Sequence, residues 1–520
     1  MPFFTLTGFG GKLVSGHNPA SGKLSFDGPI DRDNVIYIDQ IDSIVKRYGS
    51  KKLNSTAINR DDEGPPDSGE IVGLHRYYNI DGTARWVVAM LDEIYSDTAS
   101  AGTFVSFKEN LTESGNDMYI KSFFDSTAGD GTYAIYMANG GTEGMMKWDL
   151  TTHTDNHSGP NDIDAGETPR RLEVHVNRLW AVGTNNPNRL YYSRPRDADS
   201  TWSHDNAGFI DFDTDDGESI SQIISFGHVL VIFKESSIFF LYGSDKYDFK
   251  KEQLPESSGC VAPRSPVSLL GKLVFLGKDG FYALAGSQLS LISGDIQDKI
   301  TAMVANQKVE ASACRDGRFY RCHFSTSGTT NTSGMMYDVL LDRWFPISGQ
   351  AAGPLFYADG KPDDGKVFYG NKGTTGFIYE ANTGNNDEAD NDGTGGTAIS
   401  AFWQSKYTDL GIMPFYKIIK NLWVEADGSN NLVLVDIITD YANTTDTLSI
   451  AIPAGSGALW GSAIWGAFTW ASVNYQVKHT RVPAGVRGRR VSFKIKNAES
   501  GQGMIVRGLT TEFQRESWYV

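Results

Sequence analysis

The densest run of metal-ligating groups in this sequence is Asp211-Phe-Asp213-Thr-Asp215-Asp216-Gly217. Carboxylates at first, third and fifth positions are what a calcium loop uses to surround a hard cation with oxygen. The pattern then fails. Asp216 stands where the turn needs glycine, and Gln222 stands where a bidentate glutamate closes the site. The run therefore reads as a solvated acidic turn, and no metal is expected. Asp387, Glu388, Asp390 and Asp392 form a still weaker candidate. The spacing of Cys260, Cys314 and Cys322 suits neither a zinc site nor a disulfide framework, so they are expected to be buried small residues. The nine histidines contain no HExxH, and neither a nucleophile elbow nor a phosphate-binding loop is present. With 63 acidic residues, a catalytic carboxylate pair cannot be singled out. No enzymatic activity and no cofactor are expected.

Trp460, Trp465 and Trp470 are spaced by five, which fits neither a strand nor a helix period. They read as a loop, either packed on its own domain or docked on a neighbouring subunit, and they are the candidate subunit-interface residues. Contact with a host glycan is the alternative role. The net charge of −16 argues against tight binding of nucleic acid, which is gripped through its phosphates. An acidic surface can still repel DNA that passes by. No apolar run approaches the roughly 18 residues of a membrane helix, and Met1-Pro2-Phe3-Phe4 lacks a signal-like start. The expectation is a soluble chain made in a cytoplasm, with no membrane anchor.

The elements that must carry these residues are strands. The chain has 520 residues, 56 of them glycine, with 12% aromatics and almost no long helical periodicity. Val229–Phe233 and Ile238–Tyr242 put five apolar residues on each side of a short turn, which suits strands buried on both faces. Similar pairs recur: Val72–Tyr78 with Ala84–Leu91, Tyr133–Ala138 with Met145–Leu150, Arg178–Val182 with Arg189–Ser193, Leu273–Lys278 with Phe281–Leu284, Ala311–Arg315 with Arg318–Phe324, and Val367–Tyr369 with Phe377–Tyr379. Asp279-Gly280 and Asp316-Gly317 are expected to form type I′ turns. Anchors at Leu74, Tyr133, Leu179, Leu230, Leu273, Phe319 and Phe368 are 59, 46, 51, 43, 46 and 49 residues apart. A period near 40–50 residues is the signature of a β-propeller, here with about seven blades, six to eight being compatible. A pair of unrelated sandwiches is the competing arrangement. Ser193–Trp202 comes nearest to the Ser-x-Asp-x-Gly-x-x-Trp turn of propeller sialidases, but fails at the Asp and Gly positions.

The expected division is a partly extended N-terminal segment at 1–66, a propeller at 67–381, an acidic glycine-rich linker at 382–397, and a C-terminal β-sandwich at 398–520, possibly jelly-roll-like, built from about seven short runs.

The wording of several stretches resembles one family. RLWAVGTNNPNRLYYS, the tryptophan at Trp202, and DFDTDDGESISQIISFGHVLVIFKESSIFFLYG are similar to the tail nozzle, or tail tubular, proteins of short-tailed bacteriophages. DNVIYIDQIDSIVKRYGSKKLN resembles that family's entry segment, and DLGIMPFYKIIKNLWVEAD with LWGSAIWG and RGRRVSFKIKN its closing domain. The resemblance implies a non-enzymatic virion protein, a homo-oligomeric ring of six below a tail adaptor. Residues 1–66 would contact the neighbouring tail protein, tail fibres would be nearby, and DNA would pass through the lumen without specific binding. The alternative is a receptor-binding or fibre-like virion protein.

Overall fold

The structure, a computed structural model, describes residues 2–516 except 8, 10, 14–28, 39–42, 61–68, 80–81, 98–101, 113–114, 127–131, 213–215, 256–257, 374, 413–414, 428–430, 441–444, 453–474 and 484–485. Among the described residues regular structure is almost wholly β, with one short α-helix at Gln297–Thr301.

Among the described residues, seven antiparallel sheets of four strands follow one another. Their first strands are Ile71–Tyr78, Tyr119–Phe124, Pro169–His175, Gln222–Phe226, Val267–Leu269, Ser312–Asp316 and Ala352–Tyr357. Along the series these strands lie beside one another, except that the fourth reaches the segment entering the fifth through Gln222 Nε2 and the Pro263 carbonyl, and the last returns to the first. The result is an all-β, propeller-like set of blade-like sheets.

Alternation along one strand explains the closure. Leu230 and Ile232 pack with Trp180, Val182 and Leu190 of the third sheet. Val231 and Phe233, between them in sequence, pack with Leu273 and Phe275 of the fifth. Each middle strand thus feeds two inter-sheet cores, so its residues are apolar without a break. Each such Leu, Ile or Phe, fully buried, stabilises by roughly 1.5–3 kcal/mol relative to exposure.

The hairpins read from sequence fall one to a sheet, but not in one phase. Five join second and third strands, whereas Ile71–Tyr78 with Ala84–Met90 and Ser312–Asp316 with Phe319–Phe324 join first and second. Leu74 lies on a first strand and Tyr133 on a second, which accounts for the long first interval. The turn expectation is also corrected. At Asp279-Gly280 and Asp316-Gly317 only the glycine takes positive φ. Two-residue hairpin turns with positive φ at both positions are found instead at Val176-Asn177 (45°, 55°) and Leu270-Gly271 (49°, 76°).

Residues 1–66 are not a separate extended segment where described. Ser50–Lys52 is the fourth strand of the seventh sheet, paired with Ile378–Ala381. Phe3–Thr7, Val35–Ile38 and Ser43–Lys46 join a seven-stranded sheet with Lys417–Asp427, Tyr475–Arg481, Arg487–Gly488 and Ile505–Arg515. Pro29–Asp33 joins a five-stranded sheet with Ala401–Ser405, Asn431–Thr439, Thr445–Ile452 and Val491–Asn497. The physical reason is apolar: Leu6, Val35 and Ile44 complete the core shared by these two sheets. Met336, Phe345 and Ile347 of the sixth blade-like sheet enter the same core.

Residues 382–397, expected as an acidic glycine-rich linker, carry structure of their own where described. Asn386–Asp387 pairs with Thr397–Ala398, and Ala389 bridges to Lys51. Asp387 is buried because it has found a cation.

Candidate functional site

Three polar arrangements stand out. The first lies on the axis of the blade-like sheets, in a cavity of about 310 Å³ lined from all seven first strands or the segments entering them. Lys121 Nζ donates to Glu173 Oε2 at 2.8 Å, joining the second and third sheets. His75 Nε2 meets Ser122 Oγ at 2.8 Å, and burial pushes its imidazole down to about 3, so it is neutral. Arg264, entering the fifth sheet, pairs with Asp117, entering the second, at 3.0 Å and donates to the Val72 carbonyl of the first. Its side chain therefore reaches across the axis. The polar groups here tie one sheet to another.

The second arrangement could in principle do acid–base chemistry. Asp199 Oδ1 accepts from Lys147 Nζ at 2.8 Å and Tyr136 Oη at 2.8 Å, and meets His157 Nε2 at 2.7 Å. Burial alone would raise the Asp199 carboxyl, but hydrogen bonds from His157, Lys147, Ser126 and Tyr136 hold it well below the usual range. Burial, then Asp199, pushes the Tyr136 phenol up. Lys147 is also held by Asp125 at 2.9 Å. The Asp199 carboxylate and the Tyr136 phenol are thus committed to their resting protonation states. The cluster latches the 193–202 loop of the third sheet onto the second. In that loop Asp197 Oδ1 accepts the backbone N–H of Asp199 and of Ser200 at 3.1 and 2.9 Å, and Trp202 is fully buried. An aspartate-capped turn over a buried tryptophan is thus built from a sequence that lacks the sialidase spacing.

The third arrangement is at the junction of the two bodies. Arg47 donates through Nη1 and Nη2 to Asp387 Oδ1 and Oδ2 at 2.8 and 2.5 Å. It also donates to Asn34 Oδ1 at 2.5 Å, the Ser348 carbonyl at 2.5 Å and the Tyr48 carbonyl at 3.0 Å. Gln350 Nε2 adds a third bond to Asp387 at 2.8 Å. Asn34 further ties the Ser348 N–H at 2.9 Å and the Ser400 carbonyl at 2.9 Å. Both ions are almost wholly buried, at 4% and 3% side-chain exposure. Nearby, the Arg32 guanidinium lies 4.2 Å over the Phe345 ring. Gly49 passes so close to the Asn386 carbonyl that a Cβ there would sit 1.7 Å from its oxygen. This is a bidentate, hydrogen-bonded pair of the strong kind.

The residues singled out from sequence fare unevenly. Trp460, Trp465 and Trp470 lie outside the described residues, as do Asp213 and Asp215. Of the flanking carboxylates, Asp211 pairs with Arg189 at 2.7 Å and Asp216 with Lys234 at 2.5 Å. Asp387 belongs to Arg47, and Asp390 pairs with Lys52 at 3.0 Å. Among the described residues no three His, Cys, Asp or Glu gather as a metal site. All three cysteines are free and buried. Arg32, Arg47 and Arg264 carry no sequence signal, because a lone arginine in a mixed run has no pattern of its own.

No protein-family model matches the chain, and no curated protein matches it in sequence. Solved structures similar to it include a chain of the mitotic checkpoint complex, at 10% identity and a TM-score of 0.39, covering 64% of this chain and 96% of that one. YCF48 bound to D1 peptide is similar at 8% identity and a TM-score of 0.38, covering 64% and 98%. Likeness at this level transfers no residue role. The class defined by the chain's own topology is an all-β protein of blade-like sheets welded to a two-sheet body.

Proposed function

We propose that this chain is a non-enzymatic structural protein of a bacteriophage tail. It assembles in a host cytoplasm into a six-membered nozzle ring below a tail adaptor, with tail fibres nearby, through which DNA is ejected. The seven sheets are the blades of a seven-bladed propeller, and the two-sheet body is a jelly-roll-like sandwich. The supporting observation is the buried Arg47–Asp387 junction with the core shared across it. A subunit whose two bodies are welded by a desolvated ion pair suits a part that must keep its geometry while a polymer passes. The propeller axis is crossed by Arg264 and holds only about 310 Å³, so the conduit of such a ring lies between copies. Six copies at −16 each would repel phosphates from that lumen.

Negative-stain imaging of the purified chain tests this. Six-membered rings are expected. Monomers or trimers that bind a host glycan would refute it, and so would a virion map in which the lumen is lined by basic residues.

A further inference from the structure

Charge is unevenly shared between the two bodies. Residues 50–397 hold 30 Lys and Arg against 49 Asp and Glu, residues 1–49 hold five of each, and residues 398–520 hold 12 against 9. The blade-like ring is strongly acidic and the sandwich is basic. Within the sandwich Lys417, Arg487, Arg489 and Arg515 gather at one pole. Lys417–Asp427 and Ile505–Arg515 run antiparallel with Lys417 opposite Arg515. Their other ends face the blades, where Asn385 Nδ2 donates to the Gly501 carbonyl at 3.1 Å and the Gly501 N–H to Asn386 Oδ1 at 2.6 Å. An eleven-residue strand spans about 33 Å, so the Lys417/Arg515 end stands well clear of the propeller.

That pole presents aromatics between arginines. Arg487 and Arg489 lie 5.8 and 4.8 Å from the ring of Tyr416, which is 40% exposed. Arg515 lies 3.3 Å over Phe415. The loop is held in place from behind: Asp440 Oδ1 accepts the N–H of Arg489 and Arg490 at 2.8 and 2.9 Å, and Lys417 Nζ bonds the Arg489 carbonyl at 2.7 Å. Asp409 is turned to the Gly411 N–H, and Glu516 faces Arg487 at 3.4 Å. Arg481, Arg489 and Arg515 have no carboxylate partner among the described residues. Arg and Tyr on a pinned backbone are the residue types that carry protein interfaces.

We propose that this pole is a docking surface whose partner is the acidic propeller of a second copy of the chain. The charge balance selects that partner. A polyanion such as DNA, laid along the sandwich, would run beside a propeller that repels it, whereas a second propeller is the complement itself. The contact joins unlike surfaces, so it propagates head to tail, into a ring or a filament and not into a two-fold dimer. The proposal draws its setting from the ring reading above but can stand or fall separately.

The test is mass photometry and sedimentation of the full chain against the Arg487→Glu/Arg489→Glu double variant, at about 50 mM and about 500 mM NaCl, where screening differs several-fold in reach. Wild type is expected to assemble beyond a dimer at low salt and to dissociate at high salt. The variant, with unchanged thermal unfolding, is expected to be monomeric. Mixed with wild type it should cap growing chains, since it keeps its propeller but cannot pass the contact on. The proposal is overturned by a monomeric wild type, by assembly unchanged in the variant, or by duplex DNA binding that the variant loses while assembly persists. Rings that survive in the variant would sink this inference and leave the nozzle reading intact. Open filaments lost in the variant would do the reverse.

Discussion

The Arg47–Asp387 pair makes a prediction whose size can be worked from its geometry. Arg47→Met leaves Asp387 buried with Gln350 as its remaining side-chain donor. Losing one partner of a buried pair costs about 3–5 kcal/mol, and this change belongs near the upper end because little else satisfies the carboxylate. Asp387→Ala strands the guanidinium, but Arg47 keeps Asn34, Tyr48 and Ser348 as acceptors. Its cost is expected near the lower end, about 3 kcal/mol. Arg47→Met/Asp387→Leu removes both charges and should lose less than Arg47→Met alone, giving a coupling of at least about 2 kcal/mol. Urea denaturation followed by tryptophan fluorescence and far-UV circular dichroism measures all three. Both single variants should also split the unfolding of the two bodies into separate steps. Additive losses, or an Arg47→Met cost below about 1 kcal/mol, would show that the pair does not weld the junction. Gly49→Ala probes the same place without touching a charge, because its Cβ would force the Asn386 backbone away, and it should split the transition too.

Further expectations concern single residues. Asn54 is fully buried, donates to the Thr56 and Gly376 carbonyls at 2.7 and 3.0 Å, and accepts the Ile378 N–H at 2.9 Å. Asn54→Ala should cost about 2–3 kcal/mol in denaturant melts and loosen the strand that completes the seventh sheet, seen as faster hydrogen exchange at 378–381. His75 is neutral when folded down to about 3, while an unfolded imidazole takes its proton near 6.5. The unfolded state therefore binds more protons below 6.5. Stability is full above that pH and is lost as pH falls towards 3, by about 3 kcal/mol at pH 4. His75→Gln should flatten that part of the pH–stability curve, and an unchanged slope would disprove it. Burial pushes the Cys260 and Cys322 thiols up to about 12 and Cys314 higher still. A thiol-exchange reagent should find no reactive cysteine in the native chain and three after unfolding.

What could be read from the sequence was set by how each strand is buried. Val229–Phe233 and Ile238–Tyr242 touch sheets on both sides, so they are apolar at every position and visible as runs. First strands such as Pro169–His175 turn one face to the axial cavity and carry Arg170, Arg171 and Glu173. Outer strands such as Lys250–Gln253 are wholly exposed. Neither kind has a hydrophobic signature, which is why hairpins could be counted but their phase could not. Ser50–Lys52 is three polar residues whose role exists only because a sheet some 300 residues later lacks its fourth strand. The junction was hidden for a related reason. Acidic, glycine-rich 382–397 has the composition of a solvated linker, and composition cannot report that Arg47 lies in reach of Asp387. The same contact requires the chain to return from the seventh sheet to the place where its first strands left off. The N-terminal strands and residues 382–397 are therefore one structural device: the described strands before Arg47 join the two-sheet body, 50–52 joins the blade-like sheets, and Arg47, between them, meets Asp387 where the chain crosses back. A cut or flexible insertion at 47–49 should thus uncouple the bodies even with every strand retained, whereas an insertion in the exposed turn at Gly286, which no Cβ would crowd, should leave the coupling untouched.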